Sequence, residues 1–142
     1  MTMRWVRWLP AMILVASGFA AQAQVADKIS VEFNDLQPAD TGCRAVFVLH
    51  NGIGKDLDKL AFRIVAFDTA EHATLFLSLD VGALPVDKTR VFRFDLGSDV
   101  ACSDVSRLIL DDVTACEGPD LEPGACLGLV ALSTKAAVPL VY

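Results

Sequence analysis

The chain has 142 residues, 18 acidic against 12 basic, and a formal net charge of −6. That length holds one domain with one core. The negative balance argues against nucleic acid as a partner, because binding it requires positive charge to displace counterions.

Residues 1–23, MTMRWVRWLPAMILVASGFAAQA, read as a secretory leader. Arg4 and Arg7 form a positive start, Leu9 to Ala20 an apolar run, and Ala21-Gln22-Ala23 a small-residue cleavage site. The mature chain is therefore expected to begin at Gln24 and to form a single domain over 24–142. The apolar run is shorter than the ~20 residues a membrane span needs, so no transmembrane segment is expected after cleavage. Both tryptophans and all three methionines fall in the leader. The remaining core must come from Leu, Val, Ile, Ala and Phe, and no thioether is left for a soft metal.

After the leader come short apolar runs separated by turn chemistry. Ile29 to Phe33 is the first expected strand and Cys43 to Leu49 the second. Asn51-Gly52-Ile53-Gly54 predicts a turn, since Asn and Gly tolerate positive φ. Leu60 to Phe67 is the third strand. Thr74 to Leu79 is the fourth, alternating Leu75, Leu77 and Leu79 against Thr74, Phe76 and Ser78. A loop is expected over Gly82 to Lys88. Thr89 to Leu96 follows, with Phe92, Phe94 and Leu96 inward and Val91, Arg93 and Asp95 outward. Arg107 to Val113 and Leu127 to Thr134 complete seven strands, with at most one helical turn within Ser103–Leu110. Short strands at this spacing predict an all-β, antiparallel, immunoglobulin-like β-sandwich.

Cys43, Cys102, Cys116 and Cys126 all follow the leader. An even cysteine count after a secretory signal predicts two disulfides in a periplasmic or secreted protein. No C-x-x-C pair suggests zinc, redox or haem chemistry. In an immunoglobulin-like sandwich the second strand lies antiparallel to the fifth, which brings Cys43 near Cys102. A hairpin of the sixth and seventh strands would face Cys116 with Cys126. The expected bonds are thus Cys43–Cys102 and Cys116–Cys126.

The stretch Val46–Leu57, followed by Leu60-Ala61-Phe62-Arg63-Ile64-Val65-Ala66-Phe67-Asp68, resembles the strand, N-G turn, strand, F-D pattern of FxLYD-type extracytoplasmic domains. It also resembles a group of small, uncharacterised secreted proteins of Gram-negative bacteria in which the hairpin follows a cysteine, as at Gly42-Cys43-Arg44-Ala45. Ala66-Phe67-Asp68 stands where that pattern has L-Y-D. The resemblance implies a periplasmic β-sandwich without catalytic residues to carry over.

No catalytic constellation emerges. The two histidines, His50 and His72, fall beside turns. There is no G-x-S-x-G, and oxidised cysteines leave no thiol nucleophile. Asp95, Asp99, Asp104, Asp111, Asp112, Glu117, Asp120 and Glu122 crowd one stretch with Arg107, which raises a divalent-cation or small-ligand site as the alternative function. However, no EF-hand spacing is present, and adjacent Asp111 and Asp112 on a strand should face opposite ways. Glu117, Asp120 and Glu122 lie in the loop that the second disulfide would staple, a candidate partner loop. Phe67 and Phe76 could form either an exposed apolar patch or a second inner face. The expected function is a non-enzymatic accessory or binding domain, a protein-interaction module of an envelope complex, with no cofactor and no metal.

Overall fold

The computed structural model describes residues 27–122 and 124–142. The expected leader and cleavage site lie outside the described residues. The described chain is mostly β, in two four-stranded sheets. The first has the order β5-β2-β1-β7 and the second β4-β3-β6-β8. The strands are β1 (Ile29–Pro38), β2 (Cys43–Asn51), β3 (Leu57–Asp68), β4 (Ala73–Leu84), β5 (Thr89–Asp95), β6 (Val105–Glu117), β7 (Val130–Thr134) and β8 (Leu140–Val141). A five-residue helix, α1 (Ala125–Leu129), precedes β7, and a 3-10 turn over Cys102–Asp104 precedes β6. No helix among the described residues is long and apolar enough to cross a membrane.

Alternation builds the core between the sheets. Ile29, Val31 and Phe33 of β1 face Phe62, Ile64, Leu108 and Leu110 of the second sheet within one buried apolar cluster. Phe47 anchors the first sheet, with its ring 5.2 Å from Phe33 and 6.0 Å from Phe94. On β5, Phe92 and Phe94 turn inward while Val91, Arg93 and Asp95 face solvent, as the period of two requires. Asn51 is fully buried, yet satisfied. Its Nδ2 donates to the carbonyls of Lys55 and Leu84, and its Oδ1 accepts from the Ile53 N–H. The Asn-Gly pair thus closes β2, and the positive φ of this turn falls at Gly54.

Both expected disulfides are present, Cys43–Cys102 and Cys116–Cys126. The first has the anticipated cause. β2 pairs antiparallel with β5, and Leu96 N–H donates to the Cys43 carbonyl, so the chain leaving β5 passes the start of β2. Gly42, at φ +79°, leaves no room for a side chain against the Gly97 carbonyl, which keeps these two segments in contact. The second bond has a different cause from the expected hairpin. β6 pairs with β3 and β8, whereas β7 joins the first sheet parallel to β1. Cys116 therefore ties the end of β6 in one sheet to α1, which leads into the other. Leu127–Leu129, expected to begin the seventh strand, are helical. Gly124, at φ +81°, turns the chain into that helix, whose Cys126 is buried at the bond.

Candidate functional site: the outer face of the second sheet

The eight acidic residues between Asp95 and Glu122 do not converge. Asp95 lies on β5 in the first sheet and pairs with Arg44 at 2.7 Å, an exposed contact that holds the guanidinium even more firmly charged than usual. Asp99 and Asp104 are exposed in the connection to β6. Asp111 and Asp112 sit on β6 in the second sheet. Between Arg63↔Asp112 and Ile64↔Leu110 the β3–β6 register shifts, leaving Asp111 as an inserted residue. Such a bulge breaks the alternation. Both carboxylates therefore reach Arg63, which donates from Nε to Asp111 and from Nη2 to Asp112. The hydrogen bond to Asp111 is the main reason the Arg63 guanidinium is held charged beyond its ordinary range. The expectation that these two aspartates face opposite ways is thus corrected. Among the described residues no three His, Cys, Asp or Glu side chains are grouped to hold a metal ion.

The stapled loop is built against its neighbours. Gly118 has no space for a Cβ beside the Asp56 carbonyl, and Lys55 Nζ donates to the Asp120 carbonyl at 2.9 Å. Lys59 lies 3.7 Å from Glu117. Glu117, Asp120 and Glu122 all face solvent. His50 and His72 stand on different sheets. His50 Nδ1 lies 3.0 Å from Thr89 Oγ1, while His72 is exposed at the β3–β4 turn beside Asp68. That turn is capped by Asp68, whose Oδ1 accepts from the N–H groups of His72 and Ala70. These bonds, the one from His72 foremost, hold the Asp68 carboxyl below its ordinary range.

The feature that gathers residues is apolar. Residues directly opposite in neighbouring strands share a face. The register places Phe76 of β4 opposite Val65 of β3, Val65 opposite Ile109 of β6, and Ile109 opposite Val141 of β8. None of the four belongs to the core cluster. They form an apolar row across the full width of the second sheet, on its outer face. Phe76 is 71% exposed and Val141 40%, while Val65 at the centre of the sheet is only 7% exposed. Charged groups border it on both sides. On one side Arg63 pairs with Asp111 and Asp112. On the other, Arg107 stacks 4.2 Å above the Phe67 ring and pairs with Glu71.

The outer face of the first sheet differs. Its central row is Glu32, Val48 and Val91, and Glu32 pairs with Lys135 at 3.0 Å. Phe67 and Phe76 were visible in the sequence as candidates for an exposed patch, and both lie on the outer face of the second sheet. Val65, Ile109 and Val141 were missed. The available signal was that β3 is apolar at both parities, Ala61 and Val65 as well as Leu60, Phe62 and Ile64. No family model, curated protein or solved structure matches the chain.

Proposed function

We propose that this chain is a non-enzymatic, secreted or periplasmic binding domain of immunoglobulin-like architecture, which serves as a protein-interaction module of an envelope complex. The observation that carries this reading is the Phe76–Val65–Ile109–Val141 row. An apolar centre inside a charged rim is the anatomy of a protein–protein contact surface, and aromatic residues often anchor such surfaces. Two disulfides fit an oxidising compartment. The expected leader fits secretion, while the resemblance over Val46–Asp68 to FxLYD-type domains and the antiparallel β2–β5 pairing support the immunoglobulin-like assignment.

Photo-cross-linking from a reactive phenylalanine analogue tests it, installed in envelope-localised protein at position 76 or, as the control, at position 91. Both side chains are solvent-exposed, Phe76 to 71% and Val91 to 61%. The reading expects a discrete protein adduct from position 76 and little from position 91. Equal labelling from both positions, or none from either, would overturn it.

A further inference from the structure

We infer that the free edge of β4 pairs with the β4 edge of a second copy of this chain, antiparallel and centred on Phe76. β4 is an edge strand that hydrogen-bonds only to β3. A free edge presents unpaired backbone N–H and C=O groups, and such edges are commonly blunted by charge, proline or bulges. From Ala73 to Leu79 this edge carries none of the charged or proline blunting residues, reading Ala-Thr-Leu-Phe-Leu-Ser-Leu. Irregularity falls at its two ends, at Thr74, which the β3–β4 register skips between Ala66↔Leu75 and Phe67↔Ala73, and beyond Leu79, where Asp80 Oδ1 accepts from Gly82 N–H and Gly82 takes φ +68°.

The segment is self-complementary about Phe76. Antiparallel pairing centred there sets Phe76 opposite its own copy, Thr74 opposite Ser78, Leu75 opposite Leu77 and Ala73 opposite Leu79. At the margins it sets His72, an imidazole, opposite Asp80, a carboxylate. No like charges meet anywhere along this register. Leu75 and Leu77 face the sandwich interior but are only half-buried at its open edge. Their counterparts in the second copy would cover them. The pairing also extends the apolar row, so that two copies present one row across an eight-stranded sheet. Pairing through the edge leaves the face itself available. The inference deepens the reading of this face as a contact surface, but purified protein alone tests it. Its failure is therefore separable from a failure to find an envelope partner.

The test is sedimentation equilibrium of protein with both disulfides intact, comparing wild type with two double variants. Thr74 and Ser78 are exposed, so neither variant touches the core. T74K/S78K places lysine opposite lysine twice across the proposed register. T74K/S78E places lysine opposite glutamate twice. Wild type is expected to form a dimer. T74K/S78K should weaken it by about tenfold or more, and T74K/S78E should restore it, each with wild-type melting. A wild-type protein that stays monomeric up to about 1 mM, the weak limit of specific association, would overturn the inference. So would a dimer indifferent to T74K/S78K, or one lost equally in T74K/S78E.

Discussion

The two long-exposed edges, β5 in the first sheet and β4 in the second, are built from similar apolar alternation yet end differently. β5 reads Thr-Arg-Val-Phe-Arg-Phe-Asp and sets Arg90, Arg93 and Asp95 in solvent along its edge. β4 sets Thr74, Phe76 and Ser78 there. Charged groups on an edge make a neighbouring strand costly to dock, whereas uncharged ones invite it. The outer faces repeat the contrast, Glu32–Val48–Val91 against Phe76–Val65–Ile109–Val141. One outer face has a carboxylate in its central row and the other an unbroken apolar row.

The contrast depends on one shared core, and the largest expected effect comes from breaking it. Phe62 of β3 is 1% exposed beneath the second sheet. Phe62→Ala should cost about 3–5 kcal/mol and release both edges together, as a single calorimetric transition at lower temperature. Removing the disulfides should act unequally. Cys43 and Cys102 are 59 positions apart, while Cys116 and Cys126 are 10 apart. Loop-closure entropy then assigns about 4 kcal/mol to the first bond and about 3 to the second. Paired alanine variants compared by denaturant midpoints would check that order.

Smaller in stability but sharper for the comparison is an edge exchange. Arg90→Thr with Arg93→Ser removes both arginines from the β5 edge and leaves only Asp95 at its end. Surface changes of this kind usually stay within about 0.5 kcal/mol, so melting should hardly move, while light scattering should show new concentration-dependent association. The smallest effect concerns the turn that leads into β4. The folded Asp68 carboxyl lies below its ordinary 3.8 because it accepts from His72 and Ala70. Its contribution is therefore present above that value and is lost as the pH falls through the folded one. The melting temperature should decline on acidification below about pH 4, and Asp68→Asn should flatten that dependence.

Much of the fold was legible because alternation and turn chemistry are local. Phe92 and Phe94 were placed inward and Val91 outward from period alone, and Cys43–Cys102 followed from the neighbour relation of two strands. What was not legible depended on register and on which sheet a strand joins. β7 follows β6 closely but enters the other sheet, and nothing local in Leu127–Thr134 signals this. A single inserted residue at Asp111 turned two aspartates toward one arginine. The apolar row needed three pairings, β4–β3, β3–β6 and β6–β8, before Phe76, Val65, Ile109 and Val141 could be seen as neighbours. β8, two residues long after Pro139, carries too short a pattern to read as a strand.

The contact role proposed for the second sheet is tested most directly by amide hydrogen exchange, measured strand by strand over a dilution series. Amides of Ala73–Leu79 should gain protection as concentration rises, while those of Thr89–Asp95 stay unchanged. Equal exchange on both edges, with no dependence on concentration, would contradict the account.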